Sequence, residues 1–244
     1  MDPKAYLEMA DTEDRHWWFV GRRAVLRDLI GAFKMPSTAS ILEVGSGTGG
    51  NLEMLCEFGE VKAMELDAHA RELAIRKTQG RVEVRAGRCP DDIAFADQRF
   101  NLICMFDVLE HVEEDVATLA ALRRSLASGG RLLVTVPAFS WLWSTHDEFL
   151  HHKRRYTAHD LEIKCAAAGL KMERVSYFNT FLFPLGVLAR VKDRLVRSKV
   201  ASGVGLPASP VNFLLRQIFS METVLLRRMN LPFGMSLLAV LQVA

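Results

Sequence analysis

The sequence predicts an α/β fold built on a doubly wound sheet, and three observations carry that prediction. The stretch Ile41-Leu42-Glu43-Val44-Gly45-Ser46-Gly47-Thr48-Gly49-Gly50 reads as a short buried strand, a glycine-rich turn and the start of a helix, as expected in a covered parallel sheet. An acid, Glu65, ends the next apolar run, 20 residues after Gly45. Further apolar or alternating segments recur at 82–86, 100–106, 131–137 and 171–178, with helical stretches between most of them.

At 244 residues the chain can form one large domain with an appendage and bury a sizeable core. Its 50% hydrophobic and 25% charged residues are ordinary for a globular protein, and a formal net charge of +2 gives no reason to expect a nucleic-acid partner. Cys56, Cys89, Cys104 and Cys165 show no C-x-x-C spacing, which argues against zinc or a disulfide framework and fits a reducing cytoplasm. Met1 to Ala10 is charged without an apolar core, so no signal peptide is expected. No run of about 18 uncharged apolar residues marks a membrane-spanning helix.

Residues 12–34 read as one helix with Trp17, Trp18, Val25, Leu26, Leu29 and Ile30 on its apolar side, broken by Met35-Pro36-Ser37. The tryptophan pair either docks this helix on the sheet or, with Arg22, walls a substrate pocket. A helix over 51–58 is expected after the glycine turn, capped by Thr48 or Asn51, and a strand over 61–65. Next come a helix over 68–78 capped by Asp67, a strand over 82–86, and a corner at Gly87-Arg88-Cys89. The buried strand 100–106 leads to a helix reaching about Ala127, closed by Ser128-Gly129-Gly130. A strand over 131–137, a helix over 157–168, a strand over 171–178 and a last strand over 234–242 complete the order.

The glycines remove the Cβ atoms that would hold a ligand off the backbone, and two cofactor classes use such a turn. Gly45, Gly47 and Gly50 meet the G-x-G-x-x-G spacing of dinucleotide-binding proteins. With Glu43 the same stretch meets E-x-G-x-G-x-G, which resembles motif I of the class I S-adenosyl-L-methionine methyltransferases. Asp107-Val108-Leu109-Glu110-His111-Val112 is very similar to the corresponding segment of the methyltransferases of ubiquinone and menaquinone biosynthesis. The glycine pair before Leu132-Leu133-Val134-Thr135-Val136-Pro137 also resembles the class I family, so the likeness runs over about residues 40–137.

That resemblance implies a Rossmann-like seven-stranded sheet whose last strand is antiparallel and lies between the fifth and sixth, an ending that dinucleotide dehydrogenases lack. It divides a single domain, 1–244, into an N-terminal helical lid (1–36), a cofactor-binding core (37–178), an amphipathic helical insertion (179–233) and the final strand (234–244). The implied cofactor is S-adenosyl-L-methionine and the product S-adenosyl-L-homocysteine. Glu43, Gly45, Ser46, Gly47, Gly49 and Asn51 would hold its methionine end. Glu65 and Leu66 would hold its ribose, Arg88 and Cys89 the adenine corner, where an acid is commoner, and Phe106 and Asp107 the sulfonium side.

Glu110 reads as a structural cap or ion-pair partner, or, with Asp107 and His111, as the divalent-cation site that the likeness to quinone O-methyltransferases allows. Three ligands so close in sequence make a cramped site without a distal fourth, and no metal is expected. His111 is instead placed with the substrate-binding residues. The loop 138–157 leaves the carboxyl end of the fifth strand and is too long and polar for a connector. His151 or His152, with His146 behind them, is the expected base for a hydroxyl nucleophile. Trp141, Arg155 and Tyr156 are expected to bind substrate, the last two through an anionic group.

In the insertion, Arg190, Lys192, Arg194, Arg197 and Lys199 interleave with apolar residues, and a helix over 211–229 sets Phe213, Leu214, Ile218 and Phe219 against Arg216, Arg227 and Arg228. A Gly/Pro-rich linker, 202–210, separates them. Basic amphipathic helices suit an anionic membrane surface; the alternative is a lid or homodimer interface. The expected reaction is methyl transfer to a hydroxyl of a small amphiphilic or lipid-linked acceptor by a cytoplasmic, peripherally membrane-associated enzyme. The alternative acceptor is a soluble sugar or natural product. More remote alternatives are a nucleotide-dependent dehydrogenase and a non-catalytic cofactor-binding scaffold.

Overall fold

The computed structural model describes residues 3–196 and 205–244. Ser40–Val44 (β1), Glu60–Glu65 (β2), Glu83–Ala86 (β3), Phe100–Phe106 (β4), Leu126–Pro137 (β5), Leu170–Phe178 (β6) and Ser236–Val243 (β7) form one sheet. Its order is β3-β2-β1-β4-β5-β7-β6. β1 to β5 pair in parallel, and β7 runs antiparallel to both neighbours. The helices are Pro3–Thr12 (α1), Trp17–Gly31 (α2), Leu52–Leu55 (α3), Ala68–Lys77 (α4), Asp115–Arg123 (α5), Thr145–Phe149 (α6), Ala158–Ala167 (α7), Phe183–Val196 (α8), Ser209–Ser220 (α9) and Glu222–Leu226 (α10).

Successive strand residues point to opposite faces, and each face has its own core. Ile41, Leu102 and Cys104 pack with Leu26 and Ile30 of α2, Leu52 and Leu55 of α3, and Phe219 of α9. Leu42, Ile103 and Leu132 pack with Leu119 and Leu122 of α5 and Leu161 and Cys165 of α7. Burial on both faces is why these strands read as continuous apolar runs.

Several expected boundaries move. The helix expected over 12–34 starts only at Trp17, because His16 takes an extended N-cap conformation and its ring accepts from the Trp18 N–H, and it ends at Gly31; Thr12 closes a separate helix, α1. The helix after the glycine turn is only four residues, and Asn51 makes no capping hydrogen bond. The helix expected to reach Ala127 ends at Arg123, and Ser128-Gly129-Gly130 lies inside β5. The 211–229 helix splits at Met221 into α9 and α10, with Phe219 and Leu226 turned inward while Phe213 and Leu214 stay exposed. Arg197, Lys199 and the start of the linker, 202–204, lie outside the described residues.

The N-terminal helices and the segment 179–233 meet. Trp17 N–H donates to Asn212 Oδ1 at 2.8 Å, and the Trp17 ring lies edge-on to Phe219 at 6.1 Å. A Cβ on Gly21 would stand 2.5 Å from the Phe219 ring, so α2 carries glycine where α9 crosses it. Glu13, buried between α1 and α2, accepts from Thr48 Oγ1 at 2.9 Å and pairs with Lys77, which fastens the N-terminal helices to the glycine turn.

Candidate active site

A cavity of about 1570 Å³ runs along the carboxyl ends of the parallel strands, where open α/β sheets hold ligands. At one end lie Gly45, Ser46, Gly47, Asn51 and Glu65. Gly47 has φ +54° and nothing within 4 Å of where a Cβ would stand, so its backbone faces open space. The Glu65 carboxylate is fixed by two backbone donors, Gly47 N–H at 2.8 Å and Asp67 N–H at 2.9 Å. Asp67 Oδ1 accepts from Ala70 N–H, as a cap does. Ser46 Oγ and Asn51 Oδ1 are buried without a hydrogen-bond partner, an arrangement that leaves polar groups for a ligand to satisfy.

Not every glycine-loop residue faces the cavity. Gly49 packs on Ala74, 2.9 Å from its Cα if a Cβ is added. Glu43 lies buried behind the loop and accepts from Asn51 Nδ2 at 2.8 Å. Burial pushes its carboxyl up to about 8. Both therefore shape the loop from behind. Leu66, Arg88, Cys89 and Phe106 do line the cavity, and Asp91 adds an acid to the Arg88–Cys89 corner. Asp91 and Tyr6 of α1 were missed; the Asp91-Asp92 pair after the third strand was the available signal for the first.

Asp107, at the end of β4, has φ +54°. Its carboxylate pairs with Arg22 and accepts from Thr135 Oγ1 at 3.2 Å. The Arg22 guanidinium lies 4.5 Å over the Trp18 ring. Trp17, Trp18 and Arg22 thus wall the cavity as expected of a pocket, and the tryptophans also dock the helix.

The other end gathers Glu110 and His111, on a 3₁₀ turn at Leu109–His111, with His146, His151 and His152. His152 Nδ1 is 2.9 Å from Asp147 Oδ1, and Arg155 Nε donates to the same oxygen at 2.7 Å. Burial alone would raise the Asp147 carboxyl, but hydrogen bonds from His152 and Arg155 outweigh it and hold it well below the usual range. Burial, with Arg190 nearby, pushes His146 down to about 3. His151 is exposed at the rim with φ +58°.

Two expected substrate contacts lie off the cavity. Tyr156 is buried beneath it and donates to Asp115 Oδ2 at 3.0 Å. Trp141 is 52% exposed on the outer surface, stacked on Phe139. Arg155 lines the cavity but directs its donors at the Asp147 carboxylate and the Ala138 carbonyl of its own loop, not at a substrate anion. These residues build the loop that carries His152.

A family model for a methyltransferase domain matches residues 19–175. The chain belongs to that family. It is a class I S-adenosyl-L-methionine-dependent methyltransferase, and its Rossmann-like seven-stranded sheet with an antiparallel β7 is the fold of that class. Comparison with the curated proteins finds no match. Among solved structures, the methyltransferase is similar in fold to a TehB-like SAM-dependent methyltransferase from Corynebacterium glutamicum, at TM-score 0.53 and 16% identity over 89% of this chain and 87% of that one. It is similar to an S-adenosylmethionine-dependent methyltransferase from Clostridium acetobutylicum, at TM-score 0.58 and 12% identity over 91% and 90%. A third is geranyl diphosphate C-methyltransferase from Streptomyces coelicolor, in complex with Mg2+, geranyl diphosphate and S-adenosyl-L-homocysteine, at TM-score 0.58 and 13% identity over 90% and 78%. The cofactor of the methyltransferase is S-adenosyl-L-methionine, and the open Gly47 backbone with the unpartnered Ser46 and Asn51 atoms fits it. The dehydrogenase reading is set aside. Among the described residues no helix is long and apolar enough to cross a membrane.

Proposed function

We propose that this methyltransferase acts on a hydroxyl of a small amphiphilic or lipid-linked acceptor, near the quinone-biosynthesis branch that its D-V-L-E-H segment resembles. The supporting observation is the cavity itself. Its volume of about 1570 Å³ exceeds the roughly 300–1,000 Å³ of a pocket for one drug-sized ligand, which leaves room for cofactor and acceptor together. Its wall changes from the polar histidine end to Leu182, Leu185, Ala189, Val211 and Leu215 of the insertion. Around that mouth Leu185, Leu188, Val211, Phe213 and Leu214 are exposed, alongside the exposed Lys192 and Arg216, a combination suited to peripheral contact with an anionic bilayer.

Bound S-adenosyl-L-methionine supplies an electrophilic methyl group. The glycine turn and Glu65 orient it, and the apolar wall orients the acceptor, so that alignment does most of the work. His152 is the base: Asp147 holds Nδ1, and Nε2 is left to take the hydroxyl proton. The acceptor oxygen loses that proton to His152 as its bond to the methyl carbon forms and the carbon–sulfur bond breaks.

Turnover on a phenol bearing a prenyl tail, compared with the same phenol without it, tests the acceptor class. We expect kcat/KM for the tailed acceptor to be higher by at least about tenfold, the worth of a few buried CH₂ groups, and the protein to co-sediment with anionic vesicles. Equal kcat/KM for the two, with no vesicle binding, favours a soluble sugar or natural-product acceptor.

A further inference from the structure

Two segments far apart in sequence converge at the histidine end of the cavity. Glu110 and His111 come from the turn after β4, and His152 from the loop after β5. One carboxylate oxygen of Glu110 and one ring nitrogen of each histidine lie within 4.8 Å of one another. The Glu110 side chain is 1% exposed, and neither of its oxygens has a hydrogen-bond partner. The His152 Nε2 is 3.9 Å from Glu110 Oε1, outside hydrogen-bond range. A buried carboxylate in this condition is costly unless something cationic satisfies it.

The imidazoles are already held by their other contacts. His152 Nδ1 is bonded to Asp147, whose carboxylate is fixed in turn by Arg155 and the Ser144 N–H. His111 lies edge-on to His152, with ring centroids 4.7 Å apart. One nitrogen on a carboxylate or carbonyl, with the other left for a cation, is how metal-ligating histidines are oriented. Asp107, by contrast, is engaged by Arg22 and Thr135, so it does not belong to the cluster.

We propose that Glu110, His111 and His152 bind a divalent transition-metal cation at the acceptor end of the cavity. Two imidazole nitrogens and one carboxylate oxygen suit Zn²⁺, Mn²⁺ or Fe²⁺ better than Mg²⁺ or Ca²⁺, which prefer all-oxygen sites. The three ligands leave coordination positions open toward the cavity. The consequence for catalysis rests on the methyl-transfer reading and refines it. With Nε2 engaged, His152 acts not as a free base but by holding the cation, whose charge lowers the pKa of the acceptor hydroxyl so that its proton is released to water and the resulting oxyanion takes the methyl group.

Binding is measured on the full-length protein after chelator stripping, with neither cofactor nor acceptor present. Isothermal titration with ZnCl₂ and MnCl₂ is paired with elemental analysis after desalting, and the visible spectrum is recorded with CoCl₂. We expect one equivalent of Zn²⁺, a Co²⁺ spectrum of mixed nitrogen and oxygen ligation that Zn²⁺ displaces, and at least about tenfold weaker binding in Glu110→Gln and in His111→Asn, with Asp147→Asn weakened in the roughly 10- to 100-fold range typical of supporting residues. S-adenosyl-L-homocysteine titration of the same samples reports separately on the methyltransferase reading. A stripped wild-type protein that takes up neither Zn²⁺ nor Mn²⁺ and shows no Co²⁺ spectrum overturns the metal site and leaves His152 as a free base. Unchanged affinity in folded Glu110→Gln and His111→Asn overturns it equally. The wild-type Co²⁺ spectrum decides the matter if those variants do not fold.

Discussion

At the glycine-loop end of the cavity, Gly45, Ser46, Gly47 and Glu65 come from the ends of two strands that pair directly, β1 and β2. At the histidine end, Arg22, Glu110, His111 and His152 come from α2, the turn after β4 and the loop after β5. The first end is made of backbone and one carboxylate, and its geometry follows from the turn. The second is made of side chains that must be delivered from separate segments and held there by others, notably Asp147, Arg155 and Trp18. A site built from a local turn survives changes elsewhere in the chain, whereas a site assembled from distant loops depends on packing that has nothing to do with substrate.

The sharpest way to separate the two ends is a pair of substitutions, one at each. His152→Ala should lower kcat by roughly 10²- to 10⁴-fold, the range of lost help in deprotonating the acceptor hydroxyl, with S-adenosyl-L-homocysteine affinity unchanged in calorimetric titration. Retained turnover in a folded His152→Ala protein would sink the role given to this residue. Glu65→Ala should do the converse. It removes the carboxylate that the Gly47 and Asp67 N–H groups hold, and cofactor affinity should fall about 100-fold, the worth of two charge-assisted hydrogen bonds. A mutant that binds the cofactor as tightly as wild type would show that Glu65 only braces the turn.

A third substitution breaks the histidine end from a distance. Gly21→Val forces a side chain into Phe219, where even a Cβ stands 2.5 Å from the ring. Overpacking of this kind costs about 1–3 kcal/mol, read as a lower thermal midpoint. Because α2 also carries Trp18 and Arg22, KM for the acceptor should rise more than cofactor affinity falls. Equal effects on both would mean that the lid and insertion serve the two ends alike.

The last expected effect lies behind the glycine turn, away from both ends of the cavity, and depends on pH. Burial raises the Glu43 carboxyl to about 8, against about 4.3 in the unfolded chain. The folded protein therefore keeps a proton that the unfolded chain releases, so the stability tied to that proton is fully present below about pH 4.3 and is lost as pH rises through about 8. Glu43→Gln does not titrate. Its thermal midpoint relative to wild type should climb between about pH 5 and pH 8 and then level off. A difference that stays flat across that range would show that Glu43 is ionised in the fold.

Much of the cofactor end was legible because its signals are local. The glycine spacing, Glu65 at a strand end and Asp67 at a helix start each sit within a few residues of the group they position. Even there, Gly49 packs on Ala74 and Glu43 bonds to Asn51 without lining the cavity, because sequence spacing does not say which side of a turn faces open space. The antiparallel β7 was also legible, through family likeness. Helix boundaries were less so: His16 caps α2 well after the expected start at residue 12, and the chain enters β5 before the glycine pair that reads as its preceding turn.

The sequence by itself determined the apolar strands, their order along the chain and the turn between β1 and α3, since these follow from periodicity and from residues that lack a Cβ. Only the tertiary structure decided that Tyr156 points under the cavity at Asp115, that Arg155 serves Asp147, and that His152 and not His146 or His151 meets Glu110. It also decided that Asp107 belongs with Arg22, although its spacing from Glu110 suggested a shared role. The physical reason is that side-chain chemistry in a loop is set by what the packed core brings opposite it, and that distance in space has no counterpart in distance along the chain.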